Sequence, residues 1–144
     1  MEVLSKSTAE TQKLAETVAK KVKPGMVLAL FGDLGSGKTT FTSFLVKALG
    51  FESRVQSPTF VICRRYTKPI GRPIDTIHHV DLYRLTSKEE VLDIGLREIL
   101  QEPHSLVLIE WPELAMDFLP KGTVEIHFKT VDENTRHIIV KGLD

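Results

Sequence analysis

Residues 32–39 read Gly32-Asp33-Leu34-Gly35-Ser36-Gly37-Lys38-Thr39, a complete Gly-x-x-x-x-Gly-Lys-Ser/Thr pattern. This spacing is typical of a phosphate-binding loop, in which backbone N–H groups surround the phosphates of a nucleotide. Gly35 and Gly37 let the chain approach a phosphate that a Cβ would obstruct. The pattern therefore predicts a nucleoside triphosphate site. Its expected nucleotide-binding residues are Gly35, Ser36, Gly37, Lys38, Thr39 and Thr40.

The two polar side chains that close the pattern have separate expected roles. Lys38 would place its ammonium between the β- and γ-phosphates, and the Thr39 hydroxyl would bind Mg²⁺. The flanks fit this interpretation, because an apolar run from Met26 to Phe31 is typical of a buried strand. Apolar residues after Lys38 recur on one face of a helix that stops at Gly50. An accidental glycine-rich turn would not require this strand, loop and helix order.

Length and composition limit the number of domains, the kinds of partner and the cellular compartment that we expect. A chain of 144 residues is long enough to bury a core and too short for two domains, so we expect one domain over residues 1–144 that carries the phosphate-binding loop. Its 19 Lys and Arg balance 19 Asp and Glu, so no overall field attracts nucleic acid or membrane. A single cysteine, Cys63, excludes an internal disulfide and is typical of a reducing cytosol. With no long apolar segment, we expect a cytoplasmic protein without membrane contact.

The remaining segments alternate between helical and strand patterns. Ser7 to Glu10 has the Ser-x-x-Glu form of a helix start, and a helical apolar stripe follows as far as Val22. Residues 87–100 predict a helical region that breaks at Gly95. Strands are predicted at residues 55–66, 76–83 and 105–110, and a hairpin at residues 124–130 and 136–140.

These elements predict an α/β fold: a P-loop NTPase-like mixed β-sheet flanked by helices, with a C-terminal β-hairpin. Pro58 near the start of the segment 55–66 favours either an edge strand there or a kink at the strand entry, because proline cannot donate a ladder hydrogen bond.

Two acidic residues follow predicted strands and are candidates to face the loop. Asp81 and Glu110 would both project beyond the carboxyl ends of their strands, where ligands bind in such sheets. We assign Glu110 to the metal and Asp81 to the attacking water, with the reverse order as the alternative. Structural alternatives are an ion pair of Asp81 with Arg84, and a helix-capping or solvent-facing role for Glu110.

Four other residues near these segments are open to more than one interpretation. His78 and His79 cannot chelate one metal, since adjacent strand residues point to opposite faces, so we expect one in the core and the other at the surface or near the site. Thr59 has the character of a switch threonine that senses the γ-phosphate, although threonine is also common in strands. Trp111 suits either packing or a partner surface.

The order of the blocks resembles the TsaE family, the bacterial ATPases of tRNA threonylcarbamoyladenosine synthesis. The resemblance covers about residues 24–113 and is carried by four blocks: Gly32 to Phe41, Ser57-Pro58-Thr59-Phe60, His79 to Leu85, and Ile109 to Glu113. It implies ATP hydrolysis with Mg²⁺, in company with the partner pair TsaB and TsaD. That pair transfers threonylcarbamoyl to adenosine 37 of tRNAs that read codons starting with A. The ATPase would then meet tRNA only through the complex.

The resemblance also implies roles for individual residues. Thr39 and Glu110 would bind the metal. The catalytic residues would be Lys38, Asp81 and Thr59, of which Thr59 would act as a switch residue. Trp111 would belong to the same functional block. By looser analogy, two residues outside the four blocks would approach the nucleotide; they are Thr8 and Arg136. Ser36 stands where the family usually has alanine.

Three other functions share a phosphate-binding loop. A small-molecule kinase would need an arginine-bearing lid to exclude water, and only the segment with Arg64, Arg65 and Arg72 offers one. A GTPase would carry an Asn-Lys-x-Asp sequence, which this chain lacks. A nucleotide-dependent interaction protein would bind ATP without useful turnover, and slow hydrolysis in isolation would approach that behaviour.

Overall fold

A mixed β-sheet with helices on both faces is formed by residues 1–52, 62–68 and 73–143, which are the residues described by a computed structural model. In chain order the strands are β1 (Glu2–Ser5), β2 (Val27–Phe31), β3 (Cys63–Thr67), β4 (Thr76–Asp81), β5 (Ser105–Glu110), β6 (Val124–Thr130) and β7 (Arg136–Lys141). The helices are α1 (Thr8–Lys21), α2 (Lys38–Ala48), α3 (Lys88–Asp93), α4 (Leu96–Gln101) and a 3-10 helix at Pro112–Phe118.

The sheet places the strand before the phosphate-binding loop at its centre. The strand order is β1-β7-β6-β2-β5-β4-β3. Strand β2 is parallel to β5 and β6, and β4 is parallel to β5, whereas β1, β3 and β7 pair antiparallel. The predicted mixed α/β sheet with a C-terminal hairpin is confirmed. Strand β3 is an edge strand, one of the two alternatives given for its segment, whereas residues 55–61 of that predicted strand lie outside the described residues.

Side-chain alternation divides the interior into two cores, one on each face of the sheet. Leu28 and Leu30 of β2 pack with α1 and α2, whereas Val27 packs on the other face with α3, α4 and the 3-10 helix. The same alternation holds on β4, where Ile77 faces the α1–α2 side and Val80 faces the α3–α4 side. Residues that continue the Ile77 row therefore point toward the helix that follows the phosphate-binding loop.

Helix α1 begins where the sequence predicts. The Ser7 hydroxyl accepts a hydrogen bond from the backbone N–H of Glu10 at 3.2 Å, while the Glu10 carboxylate accepts one from the N–H of Lys6 at 3.2 Å. The returning bond thus reaches one residue further back than in a standard capping box. Ser5 and Thr11 join β1 to α1 through a buried hydroxyl pair at 2.7 Å.

The structure tests several of the predicted bounds of helices and strands. The helical region after Ser87 breaks at Gly95, whose φ of 85° ends α3 and starts α4. The strand predicted at residues 76–83 stops at Asp81, because the chain turns at Tyr83 and Arg84, where the N–H of Leu85 donates to the carbonyl oxygen of Leu82. Thr59 lies outside the described residues. No helix in the described part of the chain is both long and apolar enough to cross a bilayer.

Candidate active site

The phosphate-binding loop connects β2 directly to α2, the order that its sequence predicts. Gly32 has a φ of 153°, and a Cβ there would lie 2.7 Å from the carbonyl oxygen of Phe128 on β6. Gly37 precedes the first residue of α2 with a φ of 105° in the left-handed region. Both glycines are therefore required by the backbone, and the loop opens at the N-terminus of a helix, where partial positive charge favours phosphate.

A cleft of about 490 Å³ lies over this loop. Its walls come from the β1–α1 connection, the loop itself, the carboxyl ends of β4 and β5, and the β6–β7 hairpin. The residues predicted for the site that line this one cleft are Thr8, Gly35, Gly37, Lys38, Thr39, Thr40, Asp81, Glu110 and Arg136. Residues from four separate parts of the sequence thus meet around the loop.

Lys38 is folded back onto its own loop. Its ammonium donates a hydrogen bond to the carbonyl oxygen of Gly32 and lies 4.0 Å from the ring centre of Trp111. The side chain is buried, and this burial lowers the pKa of Lys38, while the nearby carboxylates of Glu110 and Asp81 oppose the shift. The cation therefore sits between the loop and two acids.

Asp81 and Glu110 are direct neighbours across β4 and β5. Their backbones pair in register, so both side chains project from the same face of the sheet, on the side of α1 and α2. They are 6% and 3% exposed. Burial raises the pKa of Asp81, an effect that the N–H of Tyr83 opposes by donating to Asp81 Oδ1 at 2.9 Å. The solvent-facing alternative for Glu110 is excluded by its burial.

His79 pairs with the Glu110 carboxylate inside the protein. Its Nε2 lies 2.6 Å from Glu110 Oε2, and the imidazole is fully buried. His78 is also buried, but it faces the opposite side of β4 and pairs with Glu102. One histidine is thus a core residue and the other lies near the site, which is the distribution that the strand alternation predicts.

Trp111 turns back over the cleft from the end of β5. It has a φ of 55°, a left-handed conformation that is uncommon for a large side chain and is often found at functional sites. Its ring contacts that of Tyr83 at a centroid distance of 4.9 Å. The chain then enters the 3-10 helix at Pro112. Trp111 therefore covers Lys38 and lines the cleft.

Arg136 and Thr8 occupy the far walls of the cleft. The Arg136 guanidinium donates to the carbonyl oxygen of Gly35 at 3.3 Å and to that of Asp132 at 2.8 Å, so it joins the β6–β7 hairpin to the loop. Thr8 is the first residue of α1 and lines the cleft at the N-terminus of that helix. Both residues reach the cleft from outside the central block of the sequence.

Ser36 is placed differently from the rest of the loop. Its side chain is buried beneath the loop against Gly32, and its Oγ has no hydrogen-bond partner among the residues that the structure describes. Its backbone N–H donates to the carbonyl oxygen of Asp33 at 3.1 Å. Ser36 does not line the cleft, so its expected part in phosphate binding stays a prediction.

The donor groups in the cleft suit a hard cation. They are the Thr39 hydroxyl and the carboxylates of Asp81 and Glu110, all oxygen donors of the kind that Mg²⁺ prefers. Within residues 1–52, 62–68 and 73–143, no cluster of three or more His, Cys, Asp or Glu side chains could hold a metal alone. Mg²⁺ in proteins usually takes one or two carboxylate ligands and completes its shell with phosphates and water.

Comparison with known proteins identifies the family. Residues 5–138 match the family model described as Threonylcarbamoyl adenosine biosynthesis protein TsaE. The chain belongs to the TsaE family. This assignment confirms the resemblance drawn from the four sequence blocks, and it extends the match beyond them on both sides.

Individual relatives agree with this assignment. The tRNA threonylcarbamoyladenosine biosynthesis protein TsaE of Rickettsia felis is 39% identical over 128 residues, which are 88% of this chain and 71% of that protein. The protein of the same name from Bacillus subtilis is 37% identical over 129 residues, covering 90% and 77% of the two chains. The crystal structure of Bacillus subtilis YdiB superposes with a TM-score of 0.76 at 30% identity, covering 96% of this chain and 82% of that one.

Two contacts of this TsaE-family site could not be derived from the sequence alone. The contact of His79 with Glu110 depends on the pairing of β4 with β5, and the position of the Trp111 ring depends on one left-handed backbone angle. Alternation along β4 does place His79 and Asp81 on one face, which was the available clue. The identity of the strand beside β4 was not available from the sequence.

Proposed function

We propose that this chain is a Mg²⁺-dependent ATPase that acts with the TsaB–TsaD threonylcarbamoyl transferase complex. Its role would be in N6-threonylcarbamoylation of adenosine 37 of tRNAs that read ANN codons. Membership of the TsaE family and the names of its relatives support a place in tRNA threonylcarbamoyladenosine synthesis. The observation that carries the ATPase part is the pair of buried acids, Asp81 and Glu110, in the same cleft as a complete phosphate-binding loop.

The loop and four polar side chains of the cleft have separate roles in this proposal. The loop N–H groups and the Lys38 ammonium bind the phosphates, and the ammonium exchanges its bond to Gly32 for one to the nucleotide. Thr39 and Glu110 would hold Mg²⁺, which would supply neutralisation of the phosphate charge. Asp81 accepts a hydrogen bond from the attacking water and orients it toward the γ-phosphate.

A partner is expected to complete the site. The cleft is open at its mouth, where Leu34 and Tyr83 are exposed, and water-excluding closure is what usually accelerates such reactions. With a formal net charge of zero, the chain has no general attraction for tRNA, so we expect contact with tRNA through the transferase complex. Hydrolysis by the isolated protein is therefore expected to be slow.

The biochemical test measures phosphate release from ATP by the purified protein with and without the TsaB–TsaD pair. We expect slow release by the protein alone and acceleration by the pair, in both cases dependent on Mg²⁺. Lys38→Ala serves as the inactive control. The partnership is wrong if the pair leaves the rate unchanged.

The cellular test measures modified nucleosides of tRNA by liquid chromatography with mass spectrometry after depletion of this protein. We expect threonylcarbamoyladenosine to disappear and to return with the wild-type protein but not with Lys38→Ala. Unchanged modification after depletion would remove the tRNA role. A small-molecule kinase would then be the leading alternative for the same loop.

A further inference from the structure

His79 contributes an unusual group to the interior of the sheet. It lies on β4 in the row of Ile77, facing the apolar core beneath α1 and α2, and it is completely shielded from solvent. A buried polar group is unfavourable unless its hydrogen bonds are made. His79 makes one through Nε2, to Glu110, and its Nδ1 finds no partner in the described ranges of the chain.

The histidine acts on one oxygen of one carboxylate. Because Glu110 Oε2 is an acceptor 2.6 Å away, the His79 Nε2 carries a proton and donates a hydrogen bond to that oxygen. This bond fixes the rotation of the carboxylate about its last torsion. Glu110 lines the cleft, so the oxygen that does not bind His79 is the one available to a ligand. The buried histidine thus orients a carboxylate that reaches the cleft.

We propose that His79 is a positioning residue for magnesium: its Nε2–H orients the Glu110 carboxylate so that one oxygen is presented to the cation in the cleft. The inference rests on the proposed function, since it takes Glu110 as a metal ligand. Groups that hold a metal ligand in place commonly affect metal affinity about 10-fold to 100-fold when they are removed. His79 does not touch the nucleotide in this proposal and acts only through Glu110.

The chain supplies a matched control in the neighbouring residue. His78 is also a buried histidine on β4, and its Nε2 pairs with a carboxylate, that of Glu102, 2.5 Å away. It faces the α3–α4 side and does not line the cleft. A general effect of losing a buried histidine–carboxylate pair would appear in both positions, whereas an effect on the metal would appear only at position 79.

The test compares His79→Phe, His79→Gln and His78→Phe with the full wild-type protein. Binding of Mn²⁺ in place of Mg²⁺ is measured by electron paramagnetic resonance in the presence of a non-hydrolysable ATP analogue. We expect His79→Phe to raise the Mn²⁺ dissociation constant about 10-fold, and His79→Gln, which keeps an N–H donor, to recover most of the loss. Analogue binding in the presence of a chelator should stay within about twofold for all variants, since no phosphate contact is removed.

Three outcomes of this comparison would overturn the inference. One is a Mn²⁺ affinity of His79→Phe equal to that of wild type, and another is an equal loss in His78→Phe. Both would leave the proposed ATPase function intact. The third is a wild-type protein that binds no Mn²⁺ with the analogue, which would overturn the proposed magnesium dependence and this inference with it.

A measurement on the wild type covers the case in which His79→Phe does not fold. The ring N–H protons of the two histidines are followed by nuclear magnetic resonance while Mg²⁺ is added to the analogue-bound protein. We expect the His79 Nε2–H resonance to shift, because its acceptor gains a metal, and the His78 resonance to stay in place. A His79 resonance that does not respond to Mg²⁺ would also overturn the inference.

Discussion

The ammonium nitrogen of Lys38 lies 4.0 Å from the centre of the Trp111 ring and donates a hydrogen bond to Gly32. A cation over the face of tryptophan is attracted by the ring electrons, and partial burial strengthens the attraction. The lysine expected to bind phosphate is therefore engaged by its own protein. A nucleotide would have to draw it away from both contacts, so the environment of Trp111 depends on whether the cleft is filled.

Trp111 fluorescence should therefore report nucleotide binding. It is the one tryptophan of the chain, so no other residue contributes indole emission. We expect a non-hydrolysable ATP analogue to change its intensity or wavelength in a saturable way, since phosphate moves the ammonium relative to the ring. The measurement is an equilibrium titration of emission. Emission that stays constant while calorimetry detects binding would show that Lys38 keeps its contact with the ring.

Lys38→Ala should abolish or severely weaken nucleotide binding. It removes the buried cation proposed to bind the phosphates, whereas Lys47→Ala removes an exposed cation at the far end of the same helix. We expect at least about a 100-fold rise in the dissociation constant for the first variant, about 3 kcal/mol, and none for the second. Calorimetric titration with the ATP analogue measures both. Equal binding by wild type and Lys38→Ala would remove the lysine from the site.

Asp81→Asn should spare nucleotide binding and slow hydrolysis. The amide keeps the shape of the side chain but cannot accept a proton from water, and loss of a general base typically reduces turnover about 100-fold or more. The control is Asp75→Asn, which changes the residue just before the first residue of β4. This variant should hydrolyse ATP at the wild-type rate. Single-turnover phosphate release separates hydrolysis from binding. If Asp81→Asn lost binding outright, the division between a metal acid and a water acid would be wrong.

The same substitution should stabilise the protein without ligands. Burial and the nearby Glu110 raise the pKa of Asp81, so the fold favours its protonated form. An acid with a raised pKa opposes folding when it is ionised, and this penalty disappears as pH falls through the raised value. We expect Asp81→Asn to increase Tm by about 2–4 °C near pH 7.5 and by less near pH 5. Calorimetry at both pH values checks the sign; a gap that widens in acid would contradict it.

The central part of the fold could be predicted because its signals are local. The apolar run before Gly32, the helical spacing after Lys38 and the glycine break at Gly95 each occupy a few consecutive residues. Local patterns also predicted the C-terminal hairpin. These segments agree with the structure because the buried strands and the helix start have few other ways to satisfy their backbone groups.

Other elements depend on partners distant in the sequence. Strand β1 has four residues, too few to show a period, and it forms because Glu2 to Ser5 pair with β7. The neighbours of β4 are likewise set by strand order, which local pattern does not determine. Hence the sequence indicated Asp81 and Glu110 as separate candidates, and the pairing of β4 with β5 brought them together.

Ser36→Ala should stabilise the protein by about 1 kcal/mol, or about 2–4 °C in Tm, because it removes a buried hydroxyl that lacks a partner in the described part of the chain. Nucleotide binding should be unchanged, since the side chain lies under the loop. Ser105→Ala is the matched control: that serine is equally buried but donates to the carbonyl oxygen of Glu102 at 2.8 Å, so its loss should lower Tm. Thermal unfolding of both variants decides the point, because a lower Tm for Ser36→Ala would mean that its hydroxyl is satisfied in solution.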